Sequence, residues 1–149
     1  MTDVILRPAT ADDAKRLFDW RNDSETRTNS GDTREIDWND HVAWLERALD
    51  DPARRLFIGE ATGRAVGTVR ADRINDAWEL SWTVAPEARG HGFGRAMVRT
   101  LINALSGTIR ARIRRENGPS KRIAEAAGMI FDREDADMVY FVATRPDDG

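Results

Sequence analysis

One corner of the chain constrains the fold more than any other segment: Val84-Ala85-Pro86-Glu87-Ala88-Arg89-Gly90-His91-Gly92-Phe93-Gly94-Arg95. Ahead of it, Trp78-Glu79-Leu80-Ser81-Trp82-Thr83-Val84 alternates as a strand does, and Pro86, which has no N–H to give a ladder, ends it. Behind it, Phe93, Met97, Leu101 and Leu105 recur at helical spacing until Gly107 closes the helix. Three alternate glycines let the backbone between them turn tightly and lie close to a ligand. The new helix opens with unpaired N–H groups and the positive end of its dipole, so an anion suits the corner, most naturally a diphosphate. A tight turn whose glycines serve geometry alone is the competing reading.

The remaining segments predict strands and helices in a definite order. Val4-Ile5-Leu6 reads as an opening strand, and Thr10 with Asp13 as an acidic capping box before a helix carrying Ala14, Leu17, Phe18 and Arg21. The polar stretch from Arg21 to Arg34, with Gly31 inside it, reads as a loop or broken helix. Asp37 caps a second helix striped by Trp38, His41, Val42, Leu45 and Leu49, which Asp50-Asp51-Pro52 stops. Leu56–Ile58 and Ala65–Val69 flank the hairpin signal Thr62-Gly63, and Asn75-Asp76 turns the chain again. After the glycine corner and its helix, Ile109, Ala111 and Ile113 alternate with Arg110, Arg112 and Arg114 as a half-buried strand. A helix from about Pro119 to Ala127 ends at Gly128, Met129–Phe131 and Met138–Thr144 form the last strands, and Arg145 onward reads as frayed tail. The order β-α-α-β-β-β-α-β-α-β-β predicts an α/β mixed sheet with helices on both faces.

Composition narrows the function. The 149 residues suit a single domain, 1–149, able to bury its own core. No apolar run approaches the roughly 20 residues of a membrane span and no secretory leader is visible, so the expected setting is cytoplasmic, with no membrane partner. There is no cysteine, which removes thiolate nucleophiles and Cys-ligated metals. His41 and His91 are the only imidazoles and neither sits in a spaced metal motif, so no metal is expected. A formal net charge of −3 argues against a nucleic-acid partner. Of the 23 basic residues, only Lys15 and Lys121 are not arginine. The Arg110, Arg112, Arg114 and Arg115 stripe reads as a solvated or ion-paired face rather than an RNA site.

Three phosphate-binding motifs compete for the glycine corner. A P-loop needs Gly-Lys followed by Ser or Thr, which the chain lacks. A dinucleotide fingerprint needs a glycine where Arg95 stands, and an acidic residue about 20 positions on, where the chain has Arg110, Arg112 and Arg114. Arg89-Gly90-His91-Gly92-Phe93-Gly94 instead resembles the Arg/Gln-x-x-Gly-x-Gly/Ala signature of the GNAT N-acetyltransferases. The resemblance spans nearly the whole chain: Leu6-Arg7-Pro8-Ala9-Thr10 is similar to a common family opening, and Asn117, Ser120 and Ala127-Gly128-Met129 to the family's closing motif.

The resemblance implies a GNAT-like acyl-CoA N-acyltransferase fold, a mostly antiparallel central sheet with helices on both faces. It implies acetyl-CoA as co-substrate, its pyrophosphate cradled by the loop Arg89, Gly90, His91, Gly92, Phe93, Gly94 and Arg95. The pantetheine arm would run beside the fourth strand at Trp82–Val84, in a slot where that strand splays from the fifth. The Val84 amide would face the oxyanion of the tetrahedral intermediate, and Asn117 with Ser120 would bind the pantetheine end. Asn117 also reads simply as a loop residue before a helix.

In such enzymes an amine attacks the thioester directly. Two candidate bases stand open: first Glu79, which alternation puts on one strand face with Ser81 and Thr83 and which equally reads as a sheet-face carboxylate paired with an arginine, and second His41, on an apolar stripe that better suits packing. His91 belongs with the cofactor. Many relatives carry a tyrosine acid where this chain has Ala124; Tyr140 is the only tyrosine and lies in the predicted final strand, so the acid is unassigned. The acceptor expected is a small-molecule or peptide amine. Trp20-Arg21-Asn22-Asp23, Trp38, His41 and Trp44 resemble acetyltransferases of nucleotide-linked amino sugars, and relatives acting on protein N-termini share part of this look; core packing by the tryptophans is the competing reading. A non-catalytic acyl-CoA-binding module is the alternative. Similar proteins are commonly homodimers, which leaves that state open.

Overall fold

A computed structural model of the chain describes residues 3–29 and 34–146. Its elements are β1 (Ile5–Pro8), α1 (Ala14–Asn22), α2 (Ser24–Thr28), α3 (Trp38–Asp50), β2 (Arg54–Ala61), β3 (Arg64–Ile74), β4 (Ala77–Val84), α4 (Phe93–Ala104), β5 (Gly107–Arg114), α5 (Gly118–Ala126), β6 (Ile130–Glu134) and β7 (Met138–Arg145). The expected order holds with one addition. The polar stretch after Arg21 contains a short helix, α2, whose N-cap Asp23 accepts from the Thr26 amide. Gly31 lies outside the described residues. Arg145 is not tail: it pairs with Gly107 at the end of β7.

Local chemistry explains the entries into the elements. Thr10 and Asp13 close the expected capping box, and Asp37 caps α3 by accepting from the Asn39 and Asp40 amides. Thr62 and Gly63 both take positive φ, the twist a two-residue hairpin needs to join β2 and β3. Asp13 is buried and accepts from both terminal nitrogens of Arg7, at 2.8 and 2.7 Å, as well as from the Thr10 amide. That ion pair holds its carboxyl below the usual aspartate range. It also ties β1 to the first helical turn.

The seven strands form one sheet in the order β1-β2-β3-β4-β5-β7-β6. Every neighbouring pair is antiparallel except β4 and β5, which are parallel. One face buries Val69, Leu80, Ile109 and Phe141 against Met97, Val98 and Leu101 of α4 and Ala124 of α5. The opposite face buries Leu56 and Ile58 against Leu17 and Trp20 of α1 and Leu45 of α3, and Val84 packs at the edge of both cores. Among the described residues no helix is long and apolar enough to cross a membrane.

Candidate functional site

The parallel pair carries the site because it is incomplete. β4 and β5 stay in register only from Ala77–Thr108 to Leu80–Ala111, whereas β4 remains paired with β3 as far as Val84 opposite Gly67. Backbone groups in an antiparallel ladder point alternately to one neighbour and the other. The Ala85 amide donates to Val66 at 2.8 Å, so Thr83 and Ser81 also face β3. Trp82 and Val84 therefore turn their N–H and C=O groups toward β5, beyond the point where β5 pairs with them. An open strand edge results.

This edge runs straight into the glycine corner. Pro86–Ala88 form one 3-10 turn, and Gly90 and Gly92 then take φ of +83° and +80°, which glycine adopts without steric cost. Gly92 caps α4 with no side chain, and the first helical hydrogen bond runs from the Ala96 amide to the Gly92 carbonyl. The amides of Phe93, Gly94 and Arg95 precede it and have no place in the helical ladder. Gly94 is needed for close approach: a Cβ there would lie 2.5 Å from Ile123 Cδ1 and 3.0 Å from Val84 Cγ2.

Edge and corner border a cleft of about 920 Å³ that passes between the splayed ends of β4 and β5. Its walls include Trp82, Val84, Arg89, Gly90, Gly92, Phe93, Gly94, Arg95, Asn117 and Ser120, ten of the eleven residues expected at the cofactor. His91 is not in the lining; it is exposed, with its ring 5.8 Å from that of Phe93. The Trp82 indole N–H is buried in this wall without a hydrogen-bond partner among the described residues. Asn117 is the N-cap of α5 and accepts from the Ser120 amide at 3.1 Å, the loop role that the sequence also allowed. Arg89 gives its guanidinium to Glu25, Asp23 and Thr26 at 2.7, 2.8 and 3.0 Å, and Glu25 and Thr26 also line the cleft. The pairing fastens α2 to the glycine corner and holds the Asp23 carboxyl low.

The two candidate bases fare differently. Glu79 pairs across β4 with Asp72 and Arg110 and is not among the cleft residues, because it lies on the stretch of β4 that β5 still covers. His41 does line the cleft. Only 4% exposed, it holds the Ala14 carbonyl at 2.9 Å through Nε2 and stacks on Trp44. A carbonyl can only accept, so Nε2 carries the proton and Nδ1 the lone pair. Burial lowers its pKa below the ordinary histidine value, with Arg21 adding to the effect, and the ring is neutral at pH 7. Packing and cleft-lining are thus combined in one side chain.

Ala124 is fully buried in the core, and the Tyr140 hydroxyl donates to Asp135 at 2.9 Å, outside the cleft lining. Neither supplies an acid to the cleft. Sequence reasoning missed the charge of the lining. Seven arginines border the cleft, Arg112 and Arg114 among them, so this part of the stripe is not simply outer surface. Glu25 is the only carboxylate among the described residues that line it. Strand parity could have found the arginines: their alternation with Ile113 puts them on the face that α4 and α5 do not cover.

Residues 3–130 match the family model described as the acetyltransferase (GNAT) domain. The fold is shared with solved structures of low identity. A spermidine N-acetyltransferase from Vibrio cholerae, in complex with CoA and spermine, is 18% identical with a TM-score of 0.83 over 94% of each chain. An aminoglycoside acetyltransferase in complex with coenzyme A is 22% identical with a TM-score of 0.82, covering 96% of this chain and 95% of its own. A ribosomal alpha-N-protein acetyltransferase in complex with coenzyme A is 11% identical with a TM-score of 0.86, covering 99% and 97%. With the family model spanning most of its length, the chain belongs to the GNAT family of acetyl-CoA-dependent N-acetyltransferases.

Proposed function

We propose that residues 1–149 act as one domain that transfers acetyl from acetyl-CoA directly to a primary amine. The observation that carries this reading is the open edge at Trp82 and Val84 leading to the uncapped start of α4. An extended amide-bearing arm completes such an edge as a strand would, and a diphosphate meets the Phe93, Gly94 and Arg95 amides at the positive end of the helix. The buried Trp82 indole N–H, without a partner among the described residues, suits the same guest.

In the reaction the amine nitrogen bonds to the thioester carbon while the carbonyl π pair moves onto oxygen. The Val84 N–H, aimed along the open edge, is the donor for that oxyanion. Collapse restores the carbonyl, breaks the C–S bond and expels CoA thiolate. A free thiol has a pKa near 8.5, so the thiolate leaves without an acid and takes its proton from water. The attacking amine must first lose a proton. His41 Nδ1, neutral at pH 7, receives it directly or through water. The second proton, in excess on the nitrogen once it is bonded to carbon, passes to solvent as the C–S bond breaks, and Glu79 has no role in this scheme.

The acceptor enters from the side of α1, α2 and α3, where Trp44 and the largely buried Trp20 form part of the lining. Both acceptors suggested by the sequence, a nucleotide-linked amino sugar and a protein N-terminus, fall within this reading. Incubation with acetyl-CoA and a panel of amines, following free CoA with a thiol reagent, tests it. Because the chain has no cysteine, the reagent reports CoA alone. Amine-dependent CoA release supports the enzyme; saturable binding of acetyl-CoA without turnover by any amine favours the non-catalytic module.

A further inference from the structure

The cleft has two halves, and the half that does not face α4 and α5 carries a charge that the transfer reaction does not explain. Its floor is the sheet face bearing Arg70 on β3, Ser81 on β4, and Arg112 and Arg114 on β5. Arg70 is opposite Ser81 in the β3–β4 register. Arg112 lies one residue past the last β4–β5 pair, so it flanks the splay from the other side. Arg21 joins them from α1. Among the described residues that line the cleft the one carboxylate is Glu25, which is bound to Arg89, while Asp72 pairs with Arg70 from outside the lining.

One of the four, Arg70, is oriented by its neighbours, and Arg112 stands exposed across the splay from it. Arg70 gives Nε to Asp72 at 3.0 Å and lies 5.4 Å from the Trp44 ring centroid, an arrangement that fixes its plane and leaves its terminal nitrogens for a guest. Arg112 is exposed on the floor, and no hydrogen bond among the described residues engages its guanidinium. A planar fork held as Arg70 is, with the exposed fork of Arg112 beside the same splay, suits phosphate and carboxylate oxygens.

We propose that the acceptor is an anionic amine, carrying a phosphate or carboxylate that Arg70 and Arg112 bind while its amino group meets the thioester. This rests on the acetyltransferase reading and narrows it. A polyamine would bring positive charge to the face that presents Arg70 and Arg112, and like charges disfavour that approach. The same floor favours the neutral, attacking form of the amine over its ammonium. Charge-assisted contacts of this kind are each worth about tenfold or more in affinity.

Four small primary amines that differ in their second group serve as probes: phosphoethanolamine, β-alanine, ethanolamine and 1,4-diaminobutane. Each is titrated into ¹⁵N-labelled protein saturated with CoA, so that the corner holding the cofactor phosphates is already filled. Phosphoethanolamine and β-alanine are expected to shift the Ser81, Thr83, Arg112 and Arg114 amides, binding at least about tenfold more tightly than ethanolamine and more weakly as salt is raised. Their order relative to each other separates phosphate from carboxylate. Arg112→Glu should abolish the preference and Arg112→Lys should restore part of it, with the fold of each checked by its amide spectrum. The proposal is overturned if diaminobutane binds as well as the anions, or if no probe moves those amides. Failure of CoA itself to bind in the first step is a separate result and overturns the acetyltransferase reading instead.

Discussion

Replacing the valine at position 84 by its α-hydroxy acid analogue converts one peptide N–H into an ester oxygen and leaves the side chain in place. Ladder parity makes the outcome asymmetric between neighbours. The Val84 N–H faces the splay and has no strand partner, so its loss leaves the ladder intact, with a weakened Thr83 carbonyl as the folding cost. The same exchange at Ala85 removes the 2.8 Å bond to Val66. That bond contributes about 1 kcal/mol, or roughly 2–4 °C in Tm for a chain of this size. Catalysis should respond in the opposite sense. If Val84 N–H stabilises the oxyanion, its removal should cost about 10²–10³-fold in kcat, the range of about 2.7–4 kcal/mol for such donors. The Ala85 ester should leave kcat near wild type. Thermal melts with CoA-release kinetics on both semisynthetic proteins read the two effects separately. An unchanged kcat in the Val84 ester would refute the oxyanion assignment, and a melting loss equal to that of the Ala85 ester would refute the parity argument beneath it.

Other expectations concern single side chains. Gly92→Val places a β-branched residue at φ +80° in the cradle and should abolish the heat of CoA binding in calorimetry; unaltered affinity contradicts the cradle. Glu79→Gln should leave the pH–rate profile as it was, whereas His41→Asn should remove the acidic limb, which falls below the ordinary histidine pKa because burial lowers it. An acidic limb lost with Glu79 instead would exchange the two assignments. Asp13→Asn breaks a buried pair whose arginine is 32% exposed, so about 2 kcal/mol of stability should go. Because the Asp13 carboxyl is held below its usual range, wild type keeps that increment above about pH 4 and loses it as pH falls through the folded value. The variant's denaturation profile should be flatter there. Arg89→Ala should leave α2 less protected in hydrogen exchange, since the links to Glu25, Asp23 and Thr26 all go at once.

Much of this architecture was legible because its signals are local. Thr10 with Asp13, Asp37, Thr62-Gly63 and the glycine corner each specify a cap or a turn within a few residues. The splay was expected only through resemblance, since it depends on where two strands distant in sequence stop pairing. The surroundings of Glu79 were hidden for the same reason: alternation gives its face, but not that Arg110 still pairs with that part of β4. Helix α2 was hidden by polar residues with no apolar stripe; it is instead held from outside, by its Asp23 cap and by Arg89. The arginines of β5 read as surface because a single strand does not reveal that its neighbour has departed, which opens a cleft beside Arg112 and Arg114.

Amide-resolved titration of the protein with CoA alone tests the account most directly. It predicts that the Trp82, Val84, Gly94 and Arg95 amides shift together along one saturable curve and gain protection from exchange. Shifts gathered elsewhere, or a spectrum that CoA leaves unmoved, would contradict it.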